Sequence, residues 1–316
     1  KKLYDIAIEE WQRLLKIYPA DPLAKKGQFY LGICHLQQKQ YSEAAASFDL
    51  AVTKYKPFDS TEEAYYQLGW CRFTVAGQKK GDDQAALLAD SIKAFTEGIT
   101  KYAKGPFADN ALFFRGEAHY KLGNRDEAIA SYQQLVDNYA KSDMRSNGLY
   151  ALGVSYEELE KDEDAARIFK IFLEQFPEDS LAAEIQLRTA DIILRGGSVE
   201  EAEKLFAAMV SEAGFPQLDY ALYRQAGCLA TLKRHEDAAA IYTELVDSHG
   251  DSNYAADARL SVGRCYFNAR KHAPALEWFQ KVIALKGAET AEAAHWASRI
   301  QLEARQFDAV LELTSA

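Results

Sequence analysis

Apolar residues recur along this chain at helical spacing, and nowhere do they alternate with polar ones long enough to predict a strand. The pattern predicts about seventeen helices, as eight antiparallel pairs plus one leading half. It also repeats itself. "FRGEAHYKLGNRDEAIASYQQLVDNYAKSD", 114–143, returns 37 residues on as "ALGVSYEELEKDEDAARIFKIFLEQFPEDS", 151–180. A small residue in the first helix of each pair measures the period: Gly32, Gly69, Gly116, Gly153, Ala190, Gly227, Gly263 and Ala297. The steps are 37, 47, 37, 37, 37, 36 and 34, so the long one is the period plus ten. A period of this length is the mark of a solenoid.

The second helices carry their own marker. Phe48, Tyr132, Phe169, Phe206 and Phe279 lie sixteen residues past the small residue, and Tyr242 lies fifteen past it. Four before each aromatic is an alanine: Ala44, Ala128, Ala165, Ala202, Ala238 and Ala275. Spacing of four puts alanine and ring on one helix face, the small residue giving room for close approach and the ring filling the space beside it. In the long unit Ser91 and Phe95 take these places, and in the leading half Ala7 and Trp11 do. Prolines in "YPADP", "FPEDS" and "GFPQLD" mark helix borders, with Asp or Ser beyond them expected to cap the next helix. The hairpin turns "KLGNRDE", "ELEKDED", "RGGSVEE" and "TLKRHED" put acids at the start of each second helix, where its dipole favours them.

The Leu-Gly pairs of "YLGICH", "QLGWCR" and "ALGVSY", the Ala-x-x-x-aromatic step and the following proline together resemble the tetratricopeptide repeat over nearly the whole chain. The resemblance implies an all-α fold, a right-handed superhelical solenoid of antiparallel helix pairs whose first helices line a concave groove. The family's usual period is 34 residues. Four of the seven steps here are 37, with the extra residues between pairs. That longer form, with "YP" or "FP" and then small and acidic residues, is similar to the subclass in bacterial envelope proteins, such as outer-membrane assembly lipoproteins and the periplasmic partner of the Tol-Pal system. No lipid-attachment cysteine motif accompanies it.

The expected organisation is a single array over 1–316, starting mid-repeat, with an insertion near 75–84. The insertion "VAGQKKGDDQ" is expected to lengthen both flanking helices or to project from the convex side. The opening "KKLYDIAIEEWQRLLKIYP" begins inside a helical pattern without methionine, as expected of a processed or cut chain. At 48 % apolar residues the composition is ordinary for a folded chain. A formal net charge of −10, with no Lys/Arg cluster longer than a pair, argues against nucleic acid or anionic membrane as partner. No apolar stretch predicts a membrane span.

Signatures of chemistry are missing. "GQKKGDD" lacks the glycine spacing and final Ser/Thr of a phosphate loop, and no HExxH occurs. "RHED", Arg234 to Asp237, matches "NRDE" and "KDED" of other turns and reads as a solvated, helix-capping turn. His35 and His119 share a repeat place with Arg72, Tyr156 and Tyr266, a packing or surface-edge role. Cys34, Cys71 and Cys265 fall two residues after the small residue and Cys228 one after it, as small core residues do. No cofactor, no metal and no catalytic residue is expected.

A partner is therefore sought on the first helices. Under the resemblance, residues six and three before, and one and four after, the small residue face the groove. They read Tyr66, Trp70 and Phe73, then Asn110, Phe113, Glu117 and Tyr120, then Asn147, Tyr150 and Glu157, then Glu184, Asp191, Arg224 and Arg264, with Arg188 and Arg195 at the edge. One half is aromatic with amides and the other mixes arginines with acids. Aromatics dominate protein recognition and asparagine can bond a peptide backbone, while rings of this kind also pack between helices. The family's carboxylate clamp needs a lysine set that is absent beside Asn110 and Asn147. The function expected is a noncatalytic protein- or peptide-binding scaffold in a bacterial envelope or multiprotein assembly, with a periplasmic or outer-membrane-associated location favoured and the cytoplasm as the alternative. The alternatives are a self-associating module and the repeat region of a larger enzyme or sensor.

Overall fold

A computed structural model of the chain describes residues 2–315, with side chains through Leu311. All the regular structure among them is α-helix. Two compact units are present, Lys1–Phe176 and Pro177–Ala316. The first holds α1 (Lys2–Ile17), α2 (Ala24–Gln37), α3 (Tyr41–Thr53), α4 (Thr61–Ala76), α5 (Gly81–Lys101), α6 (Ala108–Lys121), α7 (Arg125–Asn138), α8 (Arg145–Glu158) and α9 (Asp162–Gln175). The second holds α10 (Ala182–Arg195), α11 (Val199–Ser211), α12 (Leu218–Thr231), α13 (His235–Ser248), α14 (Ala255–Asn268), α15 (His272–Leu285), α16 (Thr290–Glu303) and α17 (Phe307–Ser315). Even-numbered helices are the first helices of pairs and odd-numbered ones the second. None is long and apolar enough to cross a membrane.

Each pair is locked by the small residue and the ring. Phe48, Phe95, Tyr132, Phe169 and Phe279 are fully buried. A methyl placed on Gly32, Gly69, Gly116, Gly153 or Gly263 would lie 2.3–2.7 Å from the nearest ring carbon of its partner, well inside contact distance. Each buried ring contributes roughly 2–3 kcal/mol of apolar burial, which needs that close approach. Ser91 replaces the usual alanine without leaving an orphan hydroxyl, because it donates to the Gly69 carbonyl at 2.8 Å.

Two register marks shift. A methyl on Gly227 would meet only the Tyr242 hydroxyl, at 3.6 Å. The residue in the packing place is Ala226, which is 0 % exposed, sixteen before Tyr242 and eight after the start of α12. With Ala226 as the mark, Cys228 falls two after it, like the other three cysteines. In the last pair the mark moves from Ala297 to Ser298. This residue lies eight after the start of α16 and seven before the left-handed turn residue Arg305, as Gly32 lies before Lys39 and Gly263 before Arg270.

Asp and Ser near the helix borders act differently from expectation. No side-chain cap is made at the first residue of the helices that follow. Instead Asp21, Ser142, Asp179 and Ser252 accept from the backbone N–H two residues on, at 2.7–3.1 Å. They shape the turn between pairs, the short-range bond that Asp and Ser side chains form readily.

The insertion lengthens both helices of its pair. α4 has 16 residues and α5 has 21, against 14 each in α6 and α7. The added turns build a small core of their own, in which Ala76, Leu88 and Ala118 are buried beside Phe73, Leu87, Ile92 and Leu122. His235, Glu236 and Asp237 form the first turn of α13, and exposed Arg234 pairs with Asp237 at 2.9 Å. The four cysteines are free and buried. Burial pushes the Cys71 thiol up to about 12, and those of Cys228 and Cys265 up to about 11.

Candidate partner-binding face

First helices of successive pairs meet one another through their side chains. In the first unit the aromatic residues expected on the face are half-buried and close the seams between helices. Tyr66 on α4 stacks on Phe107 at 5.4 Å and leans on Phe95 and Phe114. Its hydroxyl pKa is pushed up to about 12, chiefly by burial and then by Asp109. Phe73 meets Phe114 edge-on at 5.7 Å, with the Lys121 ammonium 5.7 Å from its ring. Trp70 meets Tyr41 edge-on at 5.6 Å, and Phe113 packs on Phe114 and Tyr132. These rings hold helices together and offer a partner only their edges.

Polar groups on the same helices are more available. Glu117 accepts from the Tyr132 hydroxyl at 2.7 Å. The Tyr120 hydroxyl donates to Glu158, which also pairs with Arg125 at 2.9 Å, and the Arg125 guanidinium lies 3.8 Å from the Tyr120 ring. The Asn110 side chain donates to neighbouring Asp109 at 3.3 Å. Asn147 is exposed, and Tyr150 is half-buried.

In the second unit a ladder of charges and tyrosines runs over α10, α12, α14 and α16. Arg188 pairs with Glu184 on its own helix at 2.8 Å. Arg224 on α12 pairs with Asp191 on α10 at 2.5 Å, and the other Asp191 oxygen accepts from the Tyr220 hydroxyl at 2.6 Å. The arrangement recurs one pair on: Asp257 accepts from the Tyr223 hydroxyl at 2.8 Å and pairs with Arg264 at 3.3 Å, while Arg264 reaches Glu292 on α16 at 3.5 Å. Tyr254 packs between Tyr220 and Tyr223, at 5.3 and 5.0 Å. Burial first, and then the bond to Asp257, pushes the Tyr223 hydroxyl up to about 12. These hydroxyls therefore stay protonated and donate.

The expected arginines thus come together with Glu184 and Asp191, which spacing pointed to, and with tyrosines and a further acid that it did not. Tyr220 and Tyr223 lie six and three before Ala226, so the one-residue shift in that pair hid them. Glu292 lies six before Ser298 and was hidden in the same way. Arg188 and Arg224 share one place, two before the mark, on consecutive first helices.

Comparison with known proteins agrees with this architecture. A tetratricopeptide-repeat family model matches residues 3–59, 84–143 and 150–219, more than half of the chain, and a second such model matches 220–252. Among solved structures, the C-terminal part of a TPR repeat-containing protein from Cytophaga hutchinsonii is similar at 15 % identity and a TM-score of 0.60, covering 84 % of this chain and 98 % of that one. A tetratricopeptide repeat protein from Parabacteroides merdae matches at 16 % identity and a TM-score of 0.49, covering 88 % and 98 %. YrrB, described as a TPR protein with an unusual peptide-binding site, matches at 16 % identity and a TM-score of 0.49, covering 68 % and 99 %. No curated protein matches the chain. The repeat length, the buried small-residue and ring pairs, and the extent of the family match make this chain a member of the tetratricopeptide-repeat family.

Proposed function

We propose that this protein is a noncatalytic scaffold that holds a protein or peptide on its first-helix faces. Tetratricopeptide-repeat proteins are in general protein-interaction scaffolds. The observation that carries the reading for this chain is the ladder from Asp191 to Glu292. It fixes guanidinium and hydroxyl donors on successive helices by pairing each to a carboxylate. Donors held in place lose little freedom on binding, which favours recognition over mere solvation. The contact face of the second unit includes Arg188, Arg224 and Arg264, and the first unit has a face of its own with Asn110, Asn147, Tyr120 and Glu117. Tyr66, Trp70, Phe73, Phe113 and Tyr150 back it from between the helices. A bacterial envelope assembly is the setting, supported by the 37-residue spacing and the "YP" and "FP" borders.

The test is capture from separated envelope and cytosolic fractions of the source organism, with wild type and an Arg224→Gln/Arg264→Gln variant as baits. Circular dichroism verifies that the variant is folded. A partner from the envelope fraction that is lost with the variant is expected. Equal retention by the variant would remove the ladder from the contact. Partners from the cytosol alone would remove the envelope setting. No partner, together with a mass that rises with concentration, would favour the self-associating module.

A further inference from the structure

Two arginines that lie over aromatic rings have a carboxylate as well. The Arg125 guanidinium lies 3.8 Å from the Tyr120 ring and pairs with Glu158 at 2.9 Å. That of Arg224 lies 5.8 Å from the Tyr220 ring and 5.9 Å from the Phe206 ring, and pairs with Asp191 at 2.5 Å. Arg299 on α16 has the rings without the carboxylate. Its guanidinium lies 4.8 Å from the Trp296 ring and 5.1 Å from the Phe267 ring. Among the described residues it has no ion pair and no side-chain hydrogen bond. Glu303, one turn further along α16, faces His272 of α15 instead, at 3.8 Å.

The rings under Arg299 are themselves held. Trp296 Nε1 donates to Glu292 at 3.1 Å, through the same oxygen that pairs with Arg264 at 3.5 Å. Phe267 packs on Trp296 at 5.1 Å and meets His272 edge-on at 5.4 Å. Trp296 stacks in turn on fully buried Phe279, at 6.5 Å. A guanidinium over ring faces is held without using its five N–H donors, which lie in its own plane. Arg299 is exposed and falls one after the mark Ser298, the place of Trp70, Glu117, Asp191 and Arg264 on other first helices. It therefore stands on the candidate partner-binding face. What the arrangement lacks there is an anion, and a carboxylate is the group that completes it at Arg125 and Arg224.

We propose that Arg299 is a docking point for an acidic side chain, Asp or Glu, of the bound peptide or protein. That side chain supplies the carboxylate that Glu158 supplies to Arg125 and Asp191 to Arg224. This rests on the reading of the protein as a scaffold that holds a protein or peptide, and it adds the chemistry of one contact. The chain has a formal net charge of −10. Its overall field repels acidic peptides, so a preference for an acid reports a local cation.

The test uses the full chain and a displayed library of random twelve-residue peptides. Selected peptides are resynthesised with both ends capped, so that any carboxylate belongs to a side chain. Affinities are measured for wild type, Arg299→Gln and Arg299→Lys, with circular dichroism to verify folding. The expected result is a shared Asp or Glu in the selected peptides. Affinity should fall about tenfold with Arg299→Gln, and about tenfold when that Asp or Glu is replaced by its amide. The two changes together should cost little more than either alone, the sign of direct contact. Arg299→Lys should also weaken binding, since an ammonium cannot present the paired donors of a guanidinium. Additive losses from the two changes, or selected peptides without an acid, would overturn the docking point while leaving the scaffold reading intact. Binding that depends on Arg299 and is abolished by capping would overturn the side chain as source in favour of a terminal carboxylate. A library that yields no binder would overturn the peptide-binding reading and the docking point with it.

Discussion

The two kinds of glycine on the first helices make opposite predictions from one chemical change. Gly153→Ala drives a methyl to 2.3 Å from the Phe169 ring, which is fully buried and has nowhere to move. Overpacking of this kind costs about 1–3 kcal/mol, against which the helix gains about 1 from losing a glycine. The variant should be less stable by up to about 2 kcal/mol. Gly227→Ala meets no such wall and should be more stable by up to about 1 kcal/mol. Urea unfolding of the two variants beside wild type decides it, and equal shifts in the same direction would refute the packing account. The same scale governs the cysteines. All four are buried, and burial pushes their thiols up, so little thiolate exists near neutral pH. An aromatic disulfide reagent should label none of them quickly in the native protein and all four in urea. Fast native labelling of any one would mean that its pair opens more readily than the packing suggests.

At the scale of helices, much was legible because packing repeats and solvent-facing detail does not. The small residue, the ring and the alanine between them set the pairs and their period, since every pair solves the same burial problem. The slips at Gly227 and Ala297 came from the same source. Small residues also stand next to the packing place, and the structure separates them by the Tyr242 ring at Gly227 and by the distance to the helix start and the left-handed turn at Ala297. The face was less legible, because side chains such as Tyr66 and Phe113 can turn toward a seam or toward a partner without changing the spacing. The ladder crosses helices 33 residues apart in sequence, as with Asp191 and Arg224, and no local pattern announces such a pair. Its strength is measurable. Side chains of Arg224 and Asp191 are 29 % and 17 % exposed, so solvent screens part of the attraction. A double-mutant cycle of Arg224→Gln and Asp191→Asn should give a coupling of about 1 kcal/mol, above that of a free surface pair. A coupling of zero would mean that the pair orders the face without stabilising it.

At the scale of the whole molecule, nearest-neighbour stacking means that stability accumulates pair by pair. The two compact units, 1–176 and 177–316, divide the chain at Pro177, in a turn between pairs. Each has its own buried rings, Phe48 to Phe172 in one and Phe206 to Phe279 in the other. Each fragment, produced separately, should show a helical circular dichroism spectrum and unfold cooperatively in urea. A fragment that stays unstructured would show that its unit depends on the other. A pH difference should follow the first fragment. His119 lies on α6 with its Nδ1 buried and without a hydrogen-bond partner. Burial first, then the nearby Arg115, holds its pKa below 6.5, with Glu127 opposing. The unfolded chain therefore takes up this proton first as pH falls. The contribution is fully present above the unfolded value and is lost as pH drops through it toward the folded one. Fragment 1–176 should lose stability as the pH falls from about 7.5 through the unfolded histidine value near 6.5, and His119→Gln should remove that part of the loss by sparing the buried proton uptake. An unchanged pH slope in the variant would assign the loss to other groups and show that His119 accepts its proton inside the folded pair.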